Sequence, residues 1–294
     1  MRVVVTGAEG MLGSDLLPKL KGEYDVIPFG REALDISDSD LVYRTISSVR
    51  PDILINCAAF TNVDLAEVQR ERAFAVNGLG VFNLVKACSD FKIILCHVST
   101  DYVFAGIGER PYSPFDPTAP INFYGGSKLA GEKYIQWFMK EYFIIRTSWL
   151  YGLRGNNFVK TILGLSRENE EIRVVSDQTG SPTWTENLAA GIRKVIESGV
   201  FGIHHVTDRT DGGISWYDFA TEIVRLSGLG TRVVPVSTAD FPTEARRPAY
   251  SVLDTFYTEV ATGFKPLDWR ASLSGFLEDY GRAALNLKKN RGKL

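Results

Sequence analysis

Tyr124 and Lys128, four residues apart, have the types and spacing for acid–base chemistry. On a helix, side chains four positions apart project from the same face. An ammonium group beside a phenol favours the phenolate and lowers a tyrosine pKa that is about 10 in water. Such a tyrosine could donate or accept a proton near neutral pH. We therefore predict that Tyr124 is the proton donor and that Lys128 lowers its pKa.

Thr100 is a second candidate, because it follows an apolar segment predicted to be a strand over Lys92–Ser99. Open α/β sheets bind their ligands at the carboxyl ends of the strands. A hydroxyl group at this edge could donate a hydrogen bond to a substrate carbonyl oxygen, which becomes negative as hydride reaches the carbon. We predict that Thr100 acts beside Tyr124 in such a reaction.

A glycine-rich segment, GAEGMLG, follows the first predicted strand and opens the first predicted helix. Its first glycine permits a tight turn, its second lets the backbone approach a pyrophosphate, and its third lets helix and strand lie close together. The amino end of the helix would stabilise the phosphate charge. The predicted dinucleotide contacts are Gly7, Gly10, Met11, Leu12 and Gly13. Their GxxGxxG spacing resembles that of the short-chain dehydrogenase/reductase family.

The residues after the second predicted strand, Arg31 and Glu32, bear on which dinucleotide is bound. An arginine there accommodates the 2′-phosphate of NADP, whereas a carboxylate hydrogen-bonds the ribose of NAD. We predict NADPH as the main cofactor, with NADH also accepted; an ordinary surface arginine is the alternative. The family resemblance adds further cofactor contacts at Asp35, Ile36, Ala58, Ala59, Thr61, Ser99, Tyr124 and Lys128.

The elements that must position these residues alternate as expected for βαβ units around a parallel sheet. Each candidate strand is almost continuously apolar, because both faces of such a sheet are covered by helices. The predicted strands are Arg2–Thr6, Tyr24–Phe29, Asp52–Asn56, Lys92–Ser99 and Phe143–Thr147. Predicted helices begin after Gly10, span about Asp38–Val49, form one long helix over about Asp64–Asp90, and run from Tyr124 into Lys140.

Beyond about residue 150 this alternation gives way to loops between short elements such as Ile172–Val175 and Val200–Val206. We predict an α/β fold of Rossmann type, a doubly wound parallel sheet with a smaller C-terminal α/β lobe that binds substrate. Residues 1–150 would form the NAD(P)-binding domain and residues 151–294 mainly the substrate-binding lobe, with some segments returning to the first domain. The cleft between the two is the expected ligand site.

Net charge, cysteine spacing and the apolar content of the first residues indicate which partners and which cellular location to expect. The net charge of −2 gives no general attraction for nucleic acid or an anionic membrane, so we expect neither as a partner. A short basic run at the end, Lys288, Lys289, Arg291 and Lys293, is typical of a frayed terminus. The three cysteines lack CxxC spacing, and the first residues lack a long apolar segment, so we expect a cytoplasmic protein.

The sequence resembles the dTDP-4-dehydrorhamnose reductase family along nearly its whole length. The segments that carry the resemblance are STDYVF (99–104), YGGSKLAGE (124–132), RTSWLYG (146–152), DQTGSPT (177–183), SWYDFA (215–220) and RRP (246–248). It implies NAD(P)H-dependent reduction of the 4-keto group of dTDP-4-dehydro-L-rhamnose by Thr100, Tyr124 and Lys128. The implied substrate contacts are Thr61, Thr100, Tyr102, Tyr124, Trp149, Asn157, Gln178 and Arg247.

Related enzymes of other chemistry fit less well. Sugar-nucleotide dehydratases have an acidic pair after the threonine, whereas here Asp101 is followed by Tyr102. Epimerase-reductases need a cysteine and a histidine; His97, His204 and His205 lie in apolar segments and are predicted to be buried, with satisfied ring nitrogens.

Two alternatives to this function stay open. One is a non-catalytic regulatory subunit similar to the methionine adenosyltransferase beta subunit, and the other is a reductase of another nucleotide sugar. Some relatives form dimers around Mg²⁺, and Asp15 and Glu186 fall at matching positions. Because Asp15 is shorter than the usual Glu, we favour two solvated carboxylates over a metal site and leave Mg²⁺ as an open alternative; we expect a homodimer.

Overall fold

The computed structural model describes residues 1–291, and the side chains of residues 1–283. The predicted basic tail, Lys288, Lys289, Arg291 and Lys293, therefore lies outside the described side chains. No helix in the described part of the chain is both long and apolar enough to cross a membrane.

A six-stranded parallel sheet forms the centre of the molecule. Its strands are β1 (Arg2–Thr6), β2 (Asp25–Phe29), β3 (Ile53–Asn56), β4 (Ile94–Thr100), β5 (Tyr142–Thr147) and β6 (Gly202–His205). The spatial order is β6-β5-β4-β3-β1-β2. The five strands predicted in the first half are confirmed, with ends shifted by at most two residues. Because the order reverses between β1 and β3, their carboxyl ends open a crevice where ligands bind in such sheets.

Both faces of the sheet are buried, which explains its continuously apolar strands. Val3 and Val5 pack on one face with Leu16, whereas Val4 packs on the other with Val42 and Leu84. Successive side chains of a strand point to opposite faces, so an alternating polar pattern would leave polar groups in one of these cores. A Rossmann-type doubly wound fold is therefore confirmed.

Helices cover the sheet and build the second lobe. They are Met11–Leu20, Ser39–Val49, Val63–Val68, Arg70–Phe74, Gly80–Phe91, Phe123–Phe138, Phe158–Glu168, Thr185–Ser198, Trp216–Leu226, Phe256–Thr262 and Trp269–Arg291. A π-helical turn spans Ala75–Leu79, and 3₁₀ turns span Asp101–Val103 and Thr238–Asp240.

The single long helix predicted over Asp64–Asp90 is wrong, because three helices and the π-turn occupy this segment. Gln69 interrupts the first two helices, with φ −104° and ψ 53°. In the π-turn, the buried Asn77 side chain accepts a hydrogen bond from Phe60 N (2.9 Å) and donates one to Phe60 O (3.0 Å). A π-turn inserts an extra residue, here turning an amide inward to hold the loop after β3.

The second lobe has its own apolar core around Tyr151, Phe219 and Phe276. Short strands outside the main sheet are Leu150–Tyr151, Glu171–Val175, Thr179–Gly180, Thr183–Trp184, Ile214–Ser215 and Arg232–Val236. Although β6 lies late in the chain, it pairs with β5 at the edge of the main sheet. The division near residue 150 stays a prediction.

Candidate active site

A cleft of about 800 Å³ lies at the carboxyl ends of β1, β3, β4 and β5. The predicted site residues that line it are Gly7, Gly10, Met11, Leu12, Gly13, Arg31, Asp35, Ile36, Ala58, Ala59, Thr61, Ser99, Thr100, Tyr102, Tyr124, Lys128, Trp149 and Arg247. Residues far apart in sequence therefore meet at the edge of the sheet where α/β folds bind ligands.

The glycine-rich turn connects β1 to the helix Met11–Leu20. Gly7 has φ +65°, and a Cβ there would lie 2.6 Å from Ala58 N. A Cβ on Gly13 would lie 2.7 Å from Ala8 Cα, so turn and helix touch backbone to backbone. No side chain caps this helix, and its first N–H groups lack intrahelical partners. This arrangement fits a pyrophosphate, which the helix end and free N–H groups would stabilise.

Arg31 lies at one end of the cleft and is 68% exposed, in an ion pair with Asp35 at 3.5 Å. Asp35 also accepts hydrogen bonds from Ser37 N (2.9 Å) and Ser37 Oγ (2.7 Å). Chiefly through these bonds, its pKa lies below the ordinary value. An exposed guanidinium held this way can receive a phosphate. Glu32 is exposed and is not among the residues that line the cleft.

The helix Phe123–Phe138 carries Tyr124 and Lys128. Asn122 caps it, accepting a hydrogen bond from Gly125 N at 2.8 Å and donating one to Arg246 O at 2.8 Å. A Cβ on Gly125 would lie 2.9 Å from Tyr102 C, so this glycine lets the helix approach the turn after Thr100. The Tyr102 and Tyr124 rings are then in edge contact, with centroids 5.9 Å apart.

Thr100 is buried at the end of β4. Its Oγ1 donates a hydrogen bond to Asp101 Oδ1 (2.9 Å) and accepts one from Tyr102 N (3.2 Å). The other carboxylate oxygen, Asp101 Oδ2, is buried without a partner among the described residues. Burial raises the pKa of Asp101 to about 7, although the nearby hydroxyl groups of Ser251 and Thr100 oppose this rise. Asp101 thus sits behind Thr100 and orients its hydroxyl group.

The predicted lowering of the Tyr124 pKa is wrong for this structure. Burial first, and the nearby Asp101 charge second, raise the pKa of Tyr124 to about 12, although a hydrogen bond with Thr100 opposes them. Burial also lowers the pKa of Lys128 to about 8. Lys128 Nζ points at Val98 O (2.6 Å) and His97 Nε2 (3.2 Å). Tyr124 is therefore held as a phenol, the form that can donate a proton.

Trp149 has a positive φ of 47° and stacks on Trp216, with ring centroids 3.4 Å apart. Both residues line the cleft. Arg247 also lines it, in an ion pair with Asp64 at 2.7 Å. Sequence reasoning missed Trp216, although SWYDFA was recognised as a motif, and it missed Arg72 and Asn156. Trp216 and Asn156 belong to the second lobe, whereas Arg72 lies on the helix Arg70–Phe74 of the first half of the chain.

Asn157 and Gln178 are not among the residues that line the cleft, contrary to expectation. Asn157 caps the helix Phe158–Glu168, accepting a hydrogen bond from Lys160 N (3.1 Å) and donating one to Gly152 O (2.8 Å). Gln178 is buried and donates a hydrogen bond to Thr238 Oγ1 at 3.0 Å. Both amides are thus used to fix loops of the second lobe.

The two candidate metal ligands have partners within this chain. Asp15 accepts a hydrogen bond from the Thr185 hydroxyl, and Glu186 pairs with Lys19 at 2.5 Å. Within the described residues, no group of three or more His, Cys, Asp or Glu side chains could hold a metal ion.

The three histidines are buried, as predicted, but only one is fully hydrogen-bonded among the described residues. His204 Nδ1 and His205 Nε2 lack partners. His97 contacts Asn56 and Lys128 through its two ring nitrogens. The three cysteines are free thiols.

A family model described as the RmlD substrate binding domain matches residues 1–282. The spore coat polysaccharide biosynthesis protein SpsK of Bacillus subtilis is 42% identical, covering 96% of this chain and 99% of SpsK. A dTDP-4-dehydrorhamnose reductase of Aggregatibacter actinomycetemcomitans is 38% identical, covering 92% of this chain and 97% of that protein. A solved dTDP-4-dehydrorhamnose reductase from Bacillus anthracis, in complex with NADP, is 42% identical with a TM-score of 0.90, covering 95% and 99% of the two chains.

Proposed function

This chain belongs to the family described as the RmlD substrate binding domain, and on that premise we propose that it reduces the 4-keto group of dTDP-4-dehydro-L-rhamnose with NAD(P)H. The product is dTDP-L-rhamnose. The reductase names of its relatives favour an enzyme over the regulatory subunit considered from the sequence.

One observation carries this proposal. Thr100, Tyr124 and Lys128 line the same cleft as the glycine-rich turn. A proton donor, a hydroxyl group for the carbonyl oxygen and a dinucleotide-binding turn are thus within one cavity, as a carbonyl reduction requires.

The nicotinamide cofactor, when bound, supplies the hydride that reaches the keto carbon. The Thr100 hydroxyl group, which donates to Asp101 Oδ1 at 2.9 Å in this structure, turns its proton to the keto oxygen when the substrate binds. Tyr124 gives its phenolic proton to that oxygen as negative charge develops there. Lys128 holds the nicotinamide ribose, and its charge affects the pKa of Tyr124.

Substrate contacts follow from the cleft walls. Trp149, stacked on Trp216, offers an aromatic face to the sugar. Arg247 offers a cation to the diphosphate, and its pair with Asp64 fixes the guanidinium. Thr61 and Tyr102 complete the contacts predicted near the sugar. Asn157 and Gln178 contribute only by holding their loops.

The direct test is oxidation of NADPH and of NADH, followed by the nicotinamide absorbance, with enzymatically prepared dTDP-4-dehydro-L-rhamnose. We expect dTDP-L-rhamnose to form at the same rate as the cofactor is oxidised. If NADPH binds but no oxidation occurs, the proposal fails for this sugar, and other 4-keto nucleotide sugars are then assayed in the same way.

Gly13→Ala is expected to weaken NADPH binding by about 5- to 150-fold, because overpacking costs about 1–3 kcal/mol. The new methyl group would lie 2.7 Å from Ala8 Cα and push the turn away from the helix. Fluorescence titration with NADPH measures the effect. Gly164→Ala is the control, since it lies in a helix with nothing within 4 Å of its Cβ. Unchanged binding by Gly13→Ala would contradict the phosphate role of this turn.

Arg31→Ala is expected to reduce the preference for NADPH over NADH at least about tenfold, because a charge-assisted hydrogen bond contributes about 1.5–3 kcal/mol. The measurement is kcat/KM with each cofactor. Arg225→Ala is the control, as this arginine is also exposed and ion-paired, with Glu222 at 2.7 Å, and does not line the cleft. An unaltered cofactor ratio would make Arg31 an ordinary surface residue.

A homodimer and a cytoplasmic location are part of the same proposal. Light scattering of the purified protein tests the dimer, and a mass of one chain would contradict it.

A further inference from the structure

A chain of buried hydrogen bonds runs from β1 across β3 and β4 to Lys128. Thr6 Oγ1 donates to Asn56 Oδ1 at 2.6 Å, and Asn56 Nδ2 lies 2.9 Å from His97 Nδ1. His97 Nε2 in turn lies 3.2 Å from Lys128 Nζ. These four side chains are at most 2% exposed. The direction of each hydrogen bond can be worked out from its fixed end.

The orientation of Asn56 is set by the backbone. Ala58 N lies 3.1 Å from Asn56 Oδ1, and a backbone N–H can only donate. The atom facing Ala58 is therefore the amide oxygen, and the NH₂ group faces His97. Since an NH₂ group is a donor, His97 Nδ1 must accept and carries no proton.

The tautomer of His97 follows from this. Burial first, and the Lys128 charge second, hold the pKa of His97 well below its ordinary value, so the ring is neutral. A neutral imidazole without a proton on Nδ1 carries it on Nε2. That N–H points at Lys128 Nζ. An ammonium group has donors only, so the contact is a hydrogen bond only when Lys128 is a neutral amine.

The other ionisable groups around Lys128 offset only part of the effect of burial, because the Glu132 charge raises the Lys128 pKa but burial outweighs it. Glu132, on the same helix, is committed to Arg146 at 2.7 Å, with both side chains at most 2% exposed. Burial raises the pKa of Cys57 to about 12, so that thiol is neutral. Tyr124, on the same helix face, is also neutral, with a raised pKa of about 12. Lys128 Nζ keeps one acceptor, Val98 O, which either form of the lysine can use.

We propose that Asn56 and His97 are positioning residues that fix the proton count on Lys128, making the neutral amine a populated form near neutral pH. This inference rests on the proposed function for its purpose: proton donation leaves Tyr124 as a phenolate, which a Lys128 ammonium stabilises and an amine does not, so the chain sets how strongly Lys128 assists that step. The Lys128 pKa, lowered by burial to about 8, agrees with it.

Two variants of Asn56 test which atoms donate and which accept in this chain of hydrogen bonds. Asn56→Asp has nearly the same shape but only acceptors, so His97 is expected to move its proton to Nδ1 and accept from the Lys128 ammonium through Nε2. Asn56→Leu also frees Nδ1, without adding a charge. Thr6→Val is the control, because it removes one bond to Asn56 but leaves Ala58 N to fix the amide.

Two readouts need no sugar substrate. Long-range ¹H–¹⁵N NMR identifies the His97 tautomer, which is tractable with three histidines in the chain. The pH titration of the Lys128 ¹³Cε NMR signal gives the Lys128 pKa. We expect the Nε2–H tautomer in the unchanged protein, and a rise of about one unit or more in the Lys128 pKa in both Asn56 variants. Thr6→Val should match the unchanged protein.

A proton on Nδ1 of the unchanged protein, or a Lys128 pKa that stays the same in Asn56→Leu, would overturn the inference. If tautomer and pKa behave as expected but no nucleotide sugar is reduced, the proposed function fails alone. If the sugar is reduced but the pKa does not respond, the inference fails alone.

Discussion

Replacing Tyr124 with phenylalanine is expected to lower kcat by about 10²–10⁴-fold, the usual contribution of a positioned general acid. The ring contact with Tyr102 can be kept, because the centroids are 5.9 Å apart and the change removes only the hydroxyl group. Thr100 still contacts the keto oxygen, so some turnover above the uncatalysed rate should persist. The measurements are steady-state NADPH oxidation with the keto sugar, and NADPH affinity by fluorescence, which should not change.

Tyr134→Phe is the matched control for this variant. Tyr134 lies on the same helix but packs its ring on Phe82, with centroids 5.0 Å apart, and does not line the cleft. Its loss of a hydroxyl group should leave kcat unchanged. A Tyr124→Phe enzyme that keeps most of its activity would mean that another group, with Asp101 the nearest acid, supplies the proton.

Glu132→Gln is expected to destabilise the fold by about 3–5 kcal/mol, because it leaves a buried cation without its partner. Arg146 donates to Glu132 through Nε (3.0 Å) and Nη2 (2.7 Å). The guanidinium also lies 5.0 Å from the Phe104 ring centroid. Both side chains are at most 2% exposed, so the cost is far above that of a surface ion pair. Urea unfolding followed by tryptophan fluorescence measures the loss.

Glu278→Gln provides the comparison, since its pair with Arg282 has side chains 63% and 70% exposed. No measurable change in unfolding is expected there. A Glu132→Gln protein as stable as the unchanged chain would show that Arg146 finds another acceptor, with Pro114 O at 3.4 Å the nearest candidate.

The sequence predicted the sheet well because burial on both faces makes each strand a continuously apolar segment. Helical segments separate each of the first four strands from the next. Gly7, Ala58 and Thr100 lie at the carboxyl ends of β1, β3 and β4. Because parallel strands end at a common edge, their order in the chain is sufficient to place these residues in one cleft. The spacing of Tyr124 and Lys128 similarly needs only a helix.

The helix over 64–90 shows where local pattern fails. Its apolar spacing suits one helix, but the Asn77 amide bonds across to Phe60, and a π-turn satisfies that contact. The preference for this turn comes from a partner 17 residues away. A periodicity within the segment cannot contain that information.

The sequence by itself determined the fold class, the glycine-rich turn and the position of Tyr124 and Lys128 on one helix, because each depends on neighbours along the chain or on burial repeated along it. Only the tertiary structure decided that Trp216 stacks on Trp149, that Asn157 and Gln178 hydrogen-bond loops of the second lobe, and that His97 contacts Lys128. Those outcomes depend on contacts between distant elements. For His97, the decisive contact is a backbone N–H at Ala58, which orients Asn56 and through it the proton facing Lys128.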